Sequence, residues 1–181
     1  MDLVGVVIVA VWVMLPAYIP NNVAVLLGGG PPIDRGREWR GARLLGDGKT
    51  WRGTIGGIFA GIGVAIILNA TNGPASTALG VNLPEFTGAI MLAFPVGALL
   101  GDIIASFLKR RTGRERGSAF PLVDQLDFVV VALVLGAIAD PGWMDAIFTL
   151  QLLAVVLILT PILHVTTNGI AYVLGLKNEP W

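Results

Sequence analysis

The twelve Lys and Arg residues of this chain are confined to three stretches of the sequence. They lie between Arg35 and Arg52, between Lys109 and Arg116, and at Lys177. The segments that separate them are long and apolar, and loops rich in Lys and Arg collect on the cytoplasmic side of a membrane protein. The distribution therefore predicts a chain that crosses a membrane several times and keeps these three stretches inside.

Composition indicates the same class of protein. Hydrophobic residues make up 55% of the chain, charged residues make up 13%, and the mean hydropathy is +0.78. That leaves too little polar surface for a soluble domain. The chain has no Cys and a single His, which excludes thiol catalysis and a multi-histidine metal site within one chain. Any metal bound by this protein must therefore be held by oxygen atoms.

Five apolar segments are long enough for one crossing each, at about 20 residues per transmembrane helix. They cover about residues 3–27, 53–71, 87–108, 122–139 and 146–167. The sequence thus predicts an all-α integral membrane protein, a bundle of five transmembrane helices with its N-terminus outside and its C-terminus in the cytoplasm. Because no internal repeat is evident and the outer loops are short, residues 1–181 are expected to form a single transmembrane domain.

Three aspartates are predicted to meet at one depth in the membrane. Asp102 lies inside the third segment, seven residues before Lys109, and Asp124 and Asp127 lie in the first turns of the fourth. The third and fourth helices run in opposite directions, so all three carboxylates reach the cytoplasmic half of the bilayer, where Ser106 shares a helix face with Asp102. Carboxylates in a membrane need neutralisation, and Mg²⁺ prefers such oxygen ligands. Alternatively, Asp124 and Asp127 only cap the fourth helix and pair with nearby arginines.

Basic residues flank these acids on the predicted inner side. Lys49 and Arg52 lead into the second helix, and a cluster leads into the fourth, namely Lys109, Arg110, Arg111, Arg114 and Arg116. Helix N-termini and cationic side chains together bind phosphate groups. The alternative is that these bases set the topology and contact anionic lipids. The Gly-rich segment 46–53 is not a Walker motif, because Arg43 stands where that motif needs glycine. As a flexible turn that carries Lys49, Thr50 and Arg52 to a helix start, it is still compatible with polyphosphate binding.

The inner part of the first helix combines two prolines with two amides. Pro16 and Pro20 lie one turn apart, and Asn21 and Asn22 follow directly. Irregular polar backbone in a membrane is tolerated where it lines a cavity or is buried in protein, so these amides are candidates for base recognition. Interhelical hydrogen bonds are the alternative role.

Two further features are interpreted as packing. Gly53, Gly57 and Gly61 follow the small-xxx-small pattern that lets helices approach closely. His164, near the inner end of the fifth segment, is read as a packed or interfacial side chain.

Several motifs resemble a known enzyme family. The run 101–110, followed by Ser118 and by 124–127, resembles the signature of the CDP-diglyceride synthetases, the phosphatidate cytidylyltransferases. The short chain and the segments 15–21, 32–36 and 46–53 resemble the archaeal branch of that family, the CDP-archaeol synthases. The chain departs from the bacterial signature at 124–127, where Gln125 stands in place of arginine.

The resemblance implies an Mg²⁺-dependent enzyme that transfers the cytidylyl group of CTP to an isoprenoid ether lipid phosphate and releases pyrophosphate. It implies that Asp102, Asp124 and Asp127 bind the metal. Ser106, Lys109 and Arg110 then act on the phosphate side, with Lys109 as a catalytic cation. It also implies a cell-membrane enzyme of phospholipid biosynthesis, with its active site facing the cytoplasm and no nucleic-acid partner.

Two functions from other classes compete with this interpretation. A CTP-dependent polyisoprenol kinase would share the nucleotide and metal features, but it needs a base to activate a neutral alcohol. A transporter of anionic metabolites would often show repeated halves with paired broken helices. The sequence contains neither an identifiable base nor internal symmetry, and it leaves the oligomeric state open.

Overall fold

A computed structural model of the protein describes residues 1–113, 123–173 and 175. Within these ranges the chain is almost entirely helical, with one small hairpin between the first two helices. The elements in chain order are α1 (Leu3–Leu26), β1 (Glu38–Trp39), β2 (Ala42–Arg43), α2 (Trp51–Leu79), α3 (Gly88–Arg111), α4 (Val123–Ala139), α5 (Pro141–Ile147) and α6 (Leu150–Val173).

Four of the described helices, α1, α2, α3 and α6, are long and apolar enough to cross a membrane. The hydropathy of their most apolar windows lies between 1.8 and 2.3. The remaining long helix, α4, has 17 residues, which is near the lower limit for a crossing helix. The all-α membrane class is therefore confirmed, while the fifth crossing stays a prediction.

Two helix boundaries differ from those expected. The second helix continues to Leu79. Its last turns are held to the segment that follows, because Asn72 donates to the Leu83 carbonyl and Ser76 accepts from the Leu83 N–H. The segment predicted at 146–167 is divided between α5 and α6. Asp140 caps α5, and Thr149 accepts from the Leu152 N–H at the start of α6, so each helix has its own start.

The glycine ladder of α2 packs against α1 within the chain. A Cβ atom at Gly53, Gly57 or Gly61 would lie 2.5–2.6 Å from the carbonyl oxygens of Ala24, Pro20 and Pro16, respectively. The paired numbers run in opposite directions, so the two helices are antiparallel and their backbones touch. α1 passes through both prolines as one continuous helix. The ladder therefore serves helix packing, as predicted.

Close backbone contact also joins α3 to α4. A Cβ at Gly97 would lie 2.5 Å from Ala132 Cα, and one at Gly101 would lie 2.4 Å from the Asp127 carbonyl oxygen. These two helices are thus antiparallel as well. The contact at Gly101 places Asp102 beside the first turns of α4, where the other two predicted aspartates lie.

The buried core lies mainly in the half of the bundle away from the basic loops. Among its fully buried members are Val6, Val13, Met14, Ile90 and Phe94. An aromatic group around Trp143 closes that end, with ring centroids 5.8–6.1 Å from those of Phe86, Phe94 and Phe148. The opposite end of the bundle carries the polar and charged side chains.

Candidate active site

The segment between α1 and α2 forms a structured loop. Its hairpin turns at Arg40 and Gly41, both with positive φ (54° and 74°), as a two-residue hairpin turn requires. The Arg111 guanidinium, at the end of α3, donates to the carbonyls of Trp39, Ala42 and Arg43. The loop is therefore tied to α3 from the hairpin side.

Asp34 holds the interior of this loop together. Its side chain is 1% exposed, and it accepts from the Arg43 guanidinium at 2.8 Å and from the backbone N–H groups of Gly36, Leu45 and Gly46. Burial opposes ionisation of this carboxylate, but these donors outweigh it and hold the pKa of Asp34 well below its usual value. One buried anion therefore fixes the path of the chain towards Lys49.

We expect Asp34→Asn to lower the free energy of opening this loop by about 2–3 kcal/mol, because the Arg43 guanidinium and the backbone donors around this buried position lose their anion. Trypsin should then cut the loop about 30–150-fold faster at neutral pH, since cleavage follows the population of the open form. Asp47 contacts the same guanidinium at 2.7 Å but is 67% exposed, so Asp47→Asn is the matched control, with an effect within about 1 kcal/mol.

The same carboxylate sets an acid limit on the loop. Because the pKa of Asp34 is lowered by folding, its contribution is complete above the unfolded value of about 3.9. It is lost as the pH falls from there towards the folded value. Amide exchange of loop residues, corrected for intrinsic rates, should report opening below about pH 4. The same acid-induced step in the Asp34→Asn protein would contradict this assignment.

Lys49 is placed by the end of the loop. The Ile33 N–H donates to the Lys49 carbonyl at 2.8 Å, and Pro32 forms a bridge with Thr50. The Thr50 hydroxyl caps α2 by accepting from the Gly53 N–H. With its backbone fixed on both sides, Lys49 directs its ammonium group to the Asp102 carboxylate, with which it forms an ion pair.

The other two aspartates lie on α4 beside this pair. Asp124 accepts from the Lys109 ammonium at 2.7 Å, and both side chains are about one-fifth exposed (23% and 21%). The Asp127 carboxylate accepts from the Phe128 N–H. The alternative role for Asp124 named nearby arginines as its partners, whereas the ion pair seen here is with Lys109, at the end of α3. Capping of α4 or pairing with a basic residue does not exclude a metal-binding role for Asp124 and Asp127.

Two cavities meet at the Lys49–Asp102 pair. The first, here called the polar cavity, has a volume of about 420 Å³ and lies between the loop and the inner ends of α1 and α3. Its charged and hydroxyl-bearing lining consists of Asp47, Lys49, Thr50, Asp102, Ser106, Lys109 and Arg110. Arg110 lies against Gly46, since a Cβ there would be 3.4 Å from its guanidinium. Three cations thus converge on one cavity.

The second cavity, here called the α6 cavity, has a volume of about 370 Å³ and a more apolar lining. It is bounded by α1, α4 and α6, and it contains all three predicted carboxylates together with Lys49. Tyr18 and Thr160 share a hydroxyl hydrogen bond of 2.8 Å in its wall. Its remaining lining includes Ile19, Asn21, Asn22, Phe128, Leu163, His164 and Asn168.

The donor chemistry of this centre fits Mg²⁺. Three carboxylates from two helices line one cavity, and oxygen is the ligand that Mg²⁺ prefers. Among the described residues, no group of three carboxylate or imidazole side chains is close enough to hold an ion, and two of the aspartates are paired with lysines. A metal carried in by substrate phosphates needs only part of its ligands from the protein.

The predicted binding residues fall into four groups: those that line the polar cavity, those that line the α6 cavity, one that lines neither, and two that lie outside the described residues. Lys49, Thr50, Ser106, Lys109 and Arg110 come together around the polar cavity, and Asn21 and Asn22 line the α6 cavity. Arg52 is exposed at the start of α2 and lines neither cavity. Arg114 and Ser118 lie outside the described residues.

The two predicted amides differ in their surroundings. Asn22 is exposed and donates to the Tyr18 carbonyl in its own helix at 3.3 Å. The Asn21 amide oxygen is buried and has no hydrogen-bond partner among the described residues. Asn21 is therefore the better candidate of the pair for contact with a substrate.

Sequence reasoning missed two structural anchors of the site. The Asp34–Arg43 pair and the Arg111 contacts order the loop. Most of the other partners of Asp34 and Arg111 are backbone N–H and carbonyl groups, which no side-chain pattern reveals. Asp34 lay in the segment 32–36, which resembles the archaeal branch of the family, and in a run of Pro, Asp and Gly that is typical of turns. The Tyr18–Thr160 hydrogen bond joins residues 142 positions apart and left no signal in the sequence.

The whole chain resembles known archaeal proteins. The family model "CarS-like: CDP-archaeol synthase" matches residues 3–181. The chain belongs to the CDP-archaeol synthase family. It is 64% identical to the CDP-archaeol synthase of Halobacterium salinarum over 100% of both chains. It is 47% identical to that of Archaeoglobus fulgidus over 94% of this chain and 96% of the relative.

A solved structure of an intramembrane enzyme for archaeal membrane lipid biosynthesis has the same fold. It is 34% identical, with a TM-score of 0.69 over 88% of this chain and 92% of that one. Family membership makes this chain a lipid cytidylyltransferase, an enzyme embedded in the membrane. The family expected from the sequence motifs is thus confirmed.

Proposed function

We propose that the protein catalyses Mg²⁺-dependent transfer of the cytidylyl group of CTP to an isoprenoid glycerol-ether lipid phosphate. The acceptor we infer is 2,3-bis-O-geranylgeranyl-glycerol phosphate, and the products are a CDP-archaeol-type lipid and pyrophosphate. The observation that carries this proposal is that the polar cavity, with its three cations, and the more apolar α6 cavity meet at the Lys49–Asp102 pair. A nucleotide and a lipid headgroup can therefore reach the same point from different sides.

The polar cavity suits the triphosphate of CTP. Lys49 lines it from the loop, and Lys109 and Arg110 line it from the end of α3. Charge-assisted hydrogen bonds from such groups are the strong contacts for phosphate. Thr50 and Ser106 add hydroxyl groups on two sides. The Lys49 and Lys109 ammonium groups can exchange an aspartate oxygen for a phosphate oxygen without a large movement.

The α6 cavity suits the headgroup of the lipid. It combines carboxylates at its inner end with apolar residues such as Ile19, Phe128 and Leu163. Exposed apolar residues on the outer face of α6, including Ile158 and Ile162, mark this helix as lipid-facing. A lipid phosphate can therefore reach Lys49 from the bilayer between α1 and α6.

The proposed reaction is an in-line displacement at phosphorus. An ionised oxygen of the lipid phosphate attacks the α-phosphorus of CTP, the bond from that phosphorus to the bridging oxygen breaks, and pyrophosphate leaves with the electron pair. Lys49 holds the two substrates at the junction of the cavities, and Lys109 and Arg110 neutralise the leaving pyrophosphate. Mg²⁺, if bound between the substrate phosphates and carboxylates from the set Asp102, Asp124 and Asp127, would supply Lewis-acid charge neutralisation.

Asn21 is proposed to select cytosine, because besides the α6 cavity it lines a small pocket together with Gly48, Lys49 and Thr50 of the polar cavity. Its buried amide oxygen lacks a donor among the described residues, and the 4-amino group of cytosine supplies one where uracil carries a carbonyl. Asn21→Leu should therefore weaken CTP much more than UTP. Equal losses of kcat/KM for both nucleotides would remove this assignment.

Labelled CTP tests the reaction directly. With purified protein, the lipid phosphate and Mg²⁺, label from α-³²P-CTP should appear in the lipid and label from γ-³²P-CTP should appear in pyrophosphate. Transfer of the γ-label to a prenol would instead show a polyisoprenol kinase. Absence of any labelled lipid, with uptake of an anion into vesicles, would show a transporter.

We further propose that α4 is the fifth crossing and that the site opens to the cytoplasm, with the N-terminus outside. All twelve bases lie in segments assigned to the inner side, and the α4 contacts with α3 extend from Asp127 to Ala132. The Cys-free chain allows a clean test. A cysteine at Asn82 should react with an impermeant reagent on intact cells, and one at Gly113 only after permeabilisation; the reverse pattern would overturn this orientation.

A further inference from the structure

A third depression lies on the face of the α1–α2 loop that points away from the reaction centre. This interfacial groove has a volume of about 530 Å³ and a floor that is mostly apolar, formed by Ile33, Leu44, Trp51 and Phe107. It shares one lining residue, Leu45, with the polar cavity and none with the α6 cavity. The proposed reaction therefore leaves this groove without a role.

The groove is continuous with the lipid-facing surface of the bundle. Trp51 lies at the start of α2 and is exposed, and Ile55 and Phe59 are exposed on the same face of the helix, at spacings of four residues. On α3, exposed Ile104 and Leu108 flank Phe107. Half-exposed Trp at the end of a membrane helix is typical of the interface between hydrocarbon and headgroups. The groove thus opens at headgroup level, where a lipid and not a soluble molecule is the neighbour.

Two arginines give the groove a positive charge. Arg35 and Arg37 line it, both are exposed, and neither side chain has a salt-bridge partner among the described residues. The acid in the groove lining, Asp34, is occupied by Arg43 and three backbone N–H groups. Arg35 also adopts a left-handed backbone, with φ of 49°. An anion is the matching ligand.

We propose that the interfacial groove binds an anionic membrane phospholipid that does not react. Its phosphate would contact Arg35 and Arg37, and one hydrocarbon chain would lie on Leu44, Trp51 and Phe107. The charge of the rim selects the headgroup, and the apolar floor selects a chain. Such a lipid would also hold the loop that positions Lys49 against the bilayer.

Native mass spectrometry of the full chain in detergent tests this, with equimolar dioleoylphosphatidylglycerol and dioleoylphosphatidylcholine as the probes. The first bound lipid should be preferentially phosphatidylglycerol. Each of Arg35→Gln and Arg37→Gln should reduce that preference about fivefold, the usual contribution of one basic residue near an anionic surface. Leu44→Gln should lower retention of both lipids about threefold, because it affects the chain and not the headgroup.

Arg40→Gln is the matched control. Arg40 is an exposed arginine of the same loop, lies over the Trp39 ring at 5.2 Å and does not line the groove. An equal loss of preference in this variant would reduce the effect to general surface charge and overturn the proposal. A preference that survives Arg35→Gln and Arg37→Gln but disappears in Lys109→Gln would place the lipid in the catalytic cavities, which also overturns it. Thermal unfolding without lipid checks that each variant is folded.

Discussion

Asp102→Asn is expected to lower the turnover of labelled lipid about a thousandfold, the scale of losing one charged group at a reaction centre. Asp102 is the only carboxylate that lines both cavities and pairs with Lys49, among the described residues. Without it, the Lys49 ammonium loses its fixed position between the two substrates. Metal affinity should fall as well, so that activity no longer saturates with Mg²⁺ in the range of the unmodified protein.

Asp145→Asn provides the matched control for this substitution. Asp145 is an exposed acid of α5, at the opposite end of the bundle from the lysines. Its replacement should leave turnover unchanged. Near-normal turnover and unchanged Mg²⁺ dependence in the Asp102→Asn protein would show that the shared carboxylate site is wrong.

Gly101→Ala is expected to reduce turnover about a hundredfold or more although it adds a single methyl group. That methyl would lie 2.4 Å from the Asp127 carbonyl oxygen and 2.7 Å from Phe128 Cα, so α3 and α4 must separate. Separation moves Asp102 relative to Asp124 and Asp127, and displacements near 1 Å at a reaction centre cost about this much. The backbone overlap should also cost about 1–3 kcal/mol of stability.

Gly63→Ala is the control for this prediction. Gly63 lies in α2, and a Cβ there would meet no atom within 4 Å. Alanine should therefore stabilise the helix by about 0.5–1 kcal/mol and leave turnover unchanged. Thermal unfolding and turnover measured on both variants separate the two effects. Full activity of the Gly101→Ala protein would mean that the α3–α4 distance does not set the catalytic geometry.

The sequence was most informative where chemistry and helical geometry coincide. Carboxylates at Asp102, Asp124 and Asp127 stood out because charges inside apolar segments are costly. Their convergence could be predicted, because consecutive antiparallel helices return to the same depth. The α6 cavity contains all three. The bases were predicted to gather beside these acids at the starts of the second and fourth helices. Lys49, Lys109 and Arg110 do share one cavity, but Lys109 and Arg110 lie in the last turn of α3.

The partners of these residues could not be predicted. Lys49 pairs with Asp102, 53 positions along the chain, and the loop geometry behind that pair rests on backbone groups contacting Asp34 and Arg111. Backbone donors and acceptors are present at almost every residue, so no sequence pattern marks the ones that are used. The division of the last apolar segment into α5 and α6 was hidden for a similar reason, because a cap depends on local geometry as well as residue type.

The sequence by itself determined that this protein is a membrane-embedded helical bundle with acids and bases gathered at one end. Hydropathy, charge distribution and helical spacing are properties of the linear sequence, so they can be determined without knowledge of packing. Only the tertiary structure decided that the polar cavity and the α6 cavity meet at Lys49 and Asp102, and that a separate interfacial groove carries Arg35 and Arg37. Cavities form between elements that are distant in the chain, so their walls exist only once the helices and the loop have packed.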